Sequence, residues 1–448
     1  MRHVDLLNGP IDSTLRKFAT PLILSFVLNM VYAWIDMYFI SRLGNDNIAA
    51  VGMSEQLLFL IFSVAAGLSV GSGVIISRRI GEGNKAEADY TATQGLLFML
   101  IFSTLLAVIM YILKNKILVF MGLRGSVLNL AEIYMSAIVI GVPFNFVIFQ
   151  INSMSRSAGD SMFSMFILIF TLVLNAIFAP IFIFGVFGFH GLGIFGAGLA
   201  TTTSLVIGAI IAFISVVNKK SKIKLVRSGF RPNFTVMKQI AKLGLPASLQ
   251  MLVISISRMS IAALAVSFGT NVLTTYTLGL RVDLFVFMTI FAVGTAIEVI
   301  TGQNLGAGKI RRIFQYHRSA IFQVSLLMLV LGPLVYFMSS SIGHIFNANS
   351  IVNYKLSQYL KIMSFSYLFF GVGLISMRVI SGAGDYYRSL KIVAIILFFI
   401  QISTSYSLSK FTTLSESGIW LGMLFSQVLF AGFSLLVMSK KSWITKKI

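Results

Sequence analysis

The sequence predicts an all-α protein that crosses a membrane twelve times, built as two six-helix lobes of one design. Three observations carry this. Only 11% of the 448 residues are charged, against 57% hydrophobic and a mean hydropathy of +0.91; soluble domains carry roughly 25% charge. Twelve apolar stretches are long enough to cross, because roughly 20 residues at about 1.5 Å rise span the hydrocarbon. The punctuation of the first half also returns in the second at a fixed offset.

The first six spans are read at 18–41, 48–77, 89–113, 127–150, 161–184 and 194–217, and the second six at 243–268, 272–303, 315–338, 352–378, 386–407 and 418–439. A barrel would need short alternating strands, and these runs are too long and too uniformly apolar. Residues 1–17 (MRHVDLLNGPIDSTLRK) lack the apolar core of a cleavable signal, so the first span is expected to stay as a helix. The chain has no cysteine, which excludes disulfides, thiolate metal sites and cysteine catalysis.

Shifted by 225 residues, the sequence meets itself at five places without a gap. Pro21 falls on Pro246, Gly44 on Gly269, and Gly81 and Gly83 on Gly306 and Gly308. Ala158-Gly159-Asp160 falls on Ala383-Gly384-Asp385, and Gly193 on Gly418. Each copy holds six helices, an even number, so both copies enter the membrane in the same sense about a pseudo-twofold axis along its normal. The expected organisation is an N-lobe at 1–217, a basic linker at 218–242 and a C-lobe at 243–448.

The net charge of +21 invites a nucleic-acid reading, but its distribution explains it otherwise. With the N-terminus in the cytosol, 26 of the 35 Lys and Arg fall on the inner side. This positive-inside bias puts both termini in the cytoplasm of a cell-membrane protein, and attraction to anionic lipid accounts for the excess. No nucleic-acid partner is expected.

The informative residues are the ionisable ones within the spans, where a carboxylate at helix centre costs roughly 2.5–3.5 kcal/mol. Asp36 lies eight residues before Gly44, about 12 Å inward. Asn29, Tyr32 and Asp36 share a helical face, and such a polar stripe points away from lipid. It is either a structural polar cluster or an ion-coupling site, in which a carboxylate holds and releases a proton or ligates Na⁺ as its surroundings change. Glu55 enters the second span at a similar depth. Tyr134, Asn152 and Asn175 are each more often interhelical glue than a site, but with Asp36 they would make one polar cavity. In the second half, Arg258 and Asp283 fall at similar depth and are expected to pair; the alternative is an Asp283 that meets substrate alongside Asn29, Tyr32 and Glu55. No firm metal site is visible, apart from a possible Na⁺ at Asp36 and Asn175.

Two parallel bundles facing each other suggest alternating access. No Walker motif or nucleotide-binding context is present, so the energy source is an ion gradient, and neither an enzyme nor a cofactor is expected. The 40 phenylalanines and 21 methionines supply adaptable apolar walls of the kind that accept varied amphipathic molecules.

These residues resemble the multidrug and toxic compound extrusion family of prokaryotic type. The likeness rests on Pro21 followed by Asp36, Phe39, Ile40, Ser41, Leu43 and Gly44, then IAAVG at 48–52, RRIGEGNK, NSMSRSAGD at 152–160, LNAIFAPIFI at 174–183, GAGLAT at 196–201 and QNLGAGK at 303–309. It implies twelve helices in two lobes around a V-shaped cleft, and export of cationic or amphipathic drugs in exchange for H⁺ or Na⁺; two lobes in one chain complete a cleft without a partner, so a functional monomer is expected. By the same resemblance Asp36 is the coupling residue, and Tyr134, Asn152 and Asn175 match polar partners on the fourth and fifth helices. Where many relatives carry an aspartate before the fifth-helix proline, this chain has Ala179 before Pro180. The loss of a second acid favours H⁺ over Na⁺, which wants several oxygen ligands. The rival reading is a flippase for lipid-linked precursors or polysaccharide of the same superfamily, for which Arg258 and Arg281 would hold phosphates.

Overall fold

The computed structural model describes residues 4–185, 190–218, 222–345 and 349–445. Twelve of its helices are long and apolar enough to cross a membrane. They are α1 (Ile11–Ser41), α2 (Asn45–Gly81), α3 (Lys85–Phe120), α4 (Gly125–Ser157), α5 (Ser161–Phe184), α6 (Gly193–Val217), α7 (Phe234–Val266), α8 (Thr270–Gly306), α9 (Ile310–Ile345), α10 (Ser350–Gly382), α11 (Tyr386–Lys410) and α12 (Glu416–Ser439). No strand occurs among the described residues. Eleven of the twelve expected spans lie within one of these helices, the seventh (243–268) overruns the end of α7 by two residues, and most helices run further at one or both ends. An apolar run marks the hydrocarbon, whereas a helix continues until its backbone is stopped.

The repeated glycines between helices are such stops, whereas Pro21 and Pro246 lie inside α1 and α7. Gly44 and Gly269 adopt φ of 106° and 107°, and Gly159 and Gly384 adopt 80° and 89°, a region open to glycine and strained for other residues. After the second pair, Asp160 and Asp385 each cap the next helix, accepting the backbone N–H of Phe163 at 3.0 Å and of Arg388 at 3.4 Å. α4 is interrupted by a tight 3₁₀ turn at Val139–Gly141, just before Pro143, which has no N–H to continue the α-helical ladder.

The chain divides into two compact units. Leu24–Ser248 forms the body of one, and Asp5–Ile23 with Leu249–Ile448 forms the other. α1 changes unit two residues past Pro21, and α7 two residues past Pro246.

In the first unit α4 packs against α2, α3, α5 and α6, around buried Met135, Ile138, Phe146 and Met154. The small-residue run at 67–73 serves close packing. A Cβ on Gly67 would lie 2.1 Å from Ser248 Oγ, and one on Gly71 would lie 2.5 Å from the Ile240 carbonyl, so α2 and the start of α7 meet nearly backbone to backbone. The linker is pinned to α3 through its main chain. Asp89 accepts from the Lys224 amide, Thr93 from the Val226 amide, and Gln94 donates to the carbonyls of Gly229 and Arg231.

In the second unit α10 holds the equivalent central place, against α8, α9 and α12. The segment before α1 belongs to this unit. Asn304 and Tyr316 both donate to the Leu6 carbonyl, Lys309 to Leu7 O and Asn8 Oδ1, and Arg312 to Gly9 O.

Candidate functional site

Helix geometry alone puts five polar side chains of the first unit in one layer. Counted from the ends that share a side, Asp36 lies eight residues into the helix from Gly44, Glu55 ten from Asn45, Tyr134 nine from Gly125, Asn175 nine from Phe184, and Thr201 eight from Gly193. At about 1.5 Å per residue, all fall at about 12–15 Å depth. Asn175 Nδ2 donates to Thr201 Oγ1 at 2.9 Å, and the Tyr32 hydroxyl hydrogen-bonds with both residues. Tyr134 is buried beside the Asp36 and Glu55 charges and the Tyr32 ring.

Asp36 itself is 8% exposed, and its Oδ1 is buried without a hydrogen-bond partner among the described residues. Glu55 is near enough to repel it but keeps an open surface. No basic group pairs with Asp36 among the described residues. The layer is therefore one buried acid, a second acid at its edge, two phenols, an amide and a threonine hydroxyl. Such a set can receive a proton on Asp36 or surround it with neutral oxygens. No three His, Cys, Asp or Glu side chains converge on a metal site among the described residues.

Two expected members lie apart. Asn152 follows Tyr134 by eighteen residues on α4, about 27 Å along the axis, near the opposite end of the helix; its Oδ1 is buried and unpartnered there. Asn29, expected on the Asp36 face, is exposed.

In the second unit the expected Arg258–Asp283 ion pair does not form. Asp283 has no solvent-exposed surface, and its oxygens are taken by two phenols. Tyr359 Oη donates to Oδ2 at 2.5 Å, and Tyr367 Oη donates to Oδ1 at 2.7 Å. Arg258 acts on the carboxylate only through space. Its own backbone carbonyl accepts from Tyr276 Oη at 3.3 Å. The physical reason is local: α10 presents both tyrosines one above the other toward α8, and Gly279 leaves the room that the Tyr359 ring fills. Arg281 is exposed.

Tyr359, Tyr367 and Thr201 were not singled out by composition or spacing. One signal could have found Tyr359, which lies at the same 225-residue offset from Tyr134 as the five repeated landmarks. Nothing comparable marks Tyr367.

Comparison with known proteins bears on the whole chain. A family profile described as MatE matches residues 21–181 and again 246–407, so the two matches begin at the prolines that open the internal repeat. The chain is 28% identical over 409 residues to a probable multidrug resistance protein, YoeA, of Bacillus subtilis, covering 90% of this chain and 88% of that one. It is 24% identical over 435 residues to the probable multidrug resistance protein NorM of Thermotoga maritima, covering 97% and 93%. Among solved structures, one described as the outward-facing conformation of a multidrug resistance MATE family transporter of the MOP superfamily superposes with a TM-score of 0.93. Its sequence identity is 24%, with 100% of this chain and 99% of that one covered.

Proposed function

We propose, from the premise that the chain belongs to the MatE family, that it is a secondary active efflux antiporter that expels cationic or amphipathic compounds in exchange for H⁺, coupled at Asp36. It is a membrane transporter rather than an enzyme. The observation that carries the coupling is the buried Asp36 carboxyl, with one oxygen unpartnered and only neutral polar groups and a second acid around it.

An unpaired carboxylate taken out of water costs several kcal/mol. Asp36 is therefore uncharged whenever its surroundings are dry and can ionise only when water or a cationic substrate reaches it. Tyr32 and Tyr134 fit both states, because a phenol can donate to a carboxylate or accept from a carboxyl. Binding of a proton and of a cationic substrate then exclude one another, which is the requirement for exchange. The absence of an acid at Ala179 supports H⁺ over Na⁺, since a sodium ion gains from several charged or carbonyl oxygens. The distribution of Lys and Arg supports a cell-membrane location with both termini in the cytoplasm, and the repeat within one chain supports a functional monomer.

The second reading is a flippase for lipid-linked precursors, favoured by Arg258 and Arg281 within the spans. Arg258 is half-buried and Arg281 exposed. The deciding experiment is transport in proteoliposomes, with dye, cationic drug and labelled phospholipid offered under separately imposed H⁺ and Na⁺ gradients. Drug efflux driven by H⁺ in the wild type and lost in Asp36→Asn is expected. Movement of lipid alone, or undiminished drug efflux by the variant, would overturn the proposal.

A further inference from the structure

The Asp36 layer leaves unused the most deeply buried acid among the described residues, Asp283. Asp283 sits in a built site with three tiers. At the Ser350 end of α10 and the start of α12, Lys355 pairs with Glu416. One turn inward on the same two helices come Tyr359 and Trp420, whose rings meet edge to face at 4.8 Å, with Tyr276 stacked on Trp420 at 5.8 Å. Beneath this aromatic tier lies Asp283, held by Tyr359 and Tyr367.

The groups that act on Asp283 are Tyr359 and Tyr367 from α10 and Arg258 from α7, with Tyr276 from its own helix. None of these is a cation within 4 Å. A contact ion pair would lock the acid as an anion. Phenols do not lock it: both donate to a carboxylate, and one can turn to accept from a carboxyl when a proton is added. The two units also match here. Tyr134 and Tyr359 are repeat equivalents, on equivalent central helices, and each stands against a membrane-embedded acid.

We propose that Asp283 is a second proton-binding carboxyl, in the second unit, so that each unit carries its own exchangeable proton beside an equivalent tyrosine. The step is simple protonation: the carboxylate takes H⁺ from the aqueous phase and returns it there, with no other bond changed. The Lys355–Glu416 pair and the aromatic tier stand between Asp283 and the end of the unit they cap. This deepens the proposed antiport by adding a second proton to the cycle, but its test does not depend on transport.

The test is an infrared pH titration of the full-length protein in lipid nanodiscs, following the carbonyl stretch of protonated carboxyl groups. A component lost in Asp283→Asn and kept in Asp36→Asn is expected. Tyr359→Phe, which keeps the acid and guards against misfolding of the first variant, is expected to move the midpoint of that component by about one pH unit, a tenfold change in proton affinity. A spectrum in which Asp283→Asn removes nothing at any pH, or in which Tyr359→Phe leaves every midpoint in place, overturns the proposal. The Asp36 component persisting in that case would leave the antiport reading intact, and loss of Asp36 coupling with a titrating Asp283 would do the reverse.

Discussion

Gly279→Ala is the sharpest probe of the Asp283 site. A Cβ there would lie 2.2 Å from Tyr359 Cε1 and 2.4 Å from Cδ1, where carbon atoms prefer about 3.5–4.0 Å. The ring would have to retreat by more than 1 Å, roughly. Its 2.5 Å bond to Asp283 would then pass the ~3.0 Å limit of a good O–H···O bond. A lost hydrogen bond to a buried charged group is worth about 1.5–3 kcal/mol, and overpacking adds about 1–3 kcal/mol. We expect about 2.5–6 kcal/mol of destabilisation in all, read as a lower thermal unfolding midpoint in nanodiscs. Gly432→Ala on α12 is the control, because its Cβ meets nothing within 4 Å and alanine favours helix by about 1 kcal/mol. Adding Tyr359→Ala to Gly279→Ala should relieve the clash and remove most of the non-additive cost. If Gly279→Ala is as stable as the wild type, or no worse than Gly432→Ala, the placement of Tyr359 against α8 is wrong.

Arg378→Ala should cost about 1.5–3 kcal/mol, because it removes the 2.7 Å charge-assisted bond to Glu298, whose side chain is only 6% exposed; the unfolding midpoint reads this. Gln94→Ala should loosen the linker, whose main chain it grips at Gly229, Arg231 and Asn233, and limited proteolysis should then cut within 222–233 faster. The N-terminal clasp should weaken in acid. Burial works against the Asp5 charge, but hydrogen bonds from the Leu7 and Asn8 amides and the Asn8 side chain, with the Lys309 charge, hold its carboxyl below its ordinary value of 3.8. A folded value below the unfolded one means that stabilisation is present above that range and fades as pH falls through the folded value. The protection factors of the Leu7 and Asn8 amides, exchange rates corrected for the intrinsic effect of pH, should therefore fall at low pH in the wild type and change little with pH in Asp5→Asn.

The twelve spans were legible because hydropathy reports directly on transfer into lipid, and the repeat because its landmarks are backbone requirements that side-chain drift leaves alone. Helix ends were less legible. α7 begins at Phe234, well before its apolar run, since a helix can extend into water or along another helix at no hydropathic cost. Asp36 and Tyr32 could be placed together by their spacing of four, and the depth count brings Glu55, Tyr134 and Asn175 level with them. Asn152 was grouped with them as a polar residue of the same lobe, and again by resemblance, although eighteen residues of α4 separate it from Tyr134. The Arg258–Asp283 pairing failed for a different reason. Depth along a helix is readable from sequence, whereas the direction a side chain faces across the bundle depends on packing, and at Asp283 two tyrosines of α10 face it more directly than the arginine of α7.

The exchange of a proton for substrate at Asp36 is tested most directly without a gradient. Purified protein in weakly buffered detergent is mixed with a cationic drug, and the pH of the solution is followed. Wild-type protein should release protons on binding, and Asp36→Asn should bind with that release reduced. Equal release from the variant, or none from the wild type despite measured binding, would contradict coupling at this residue.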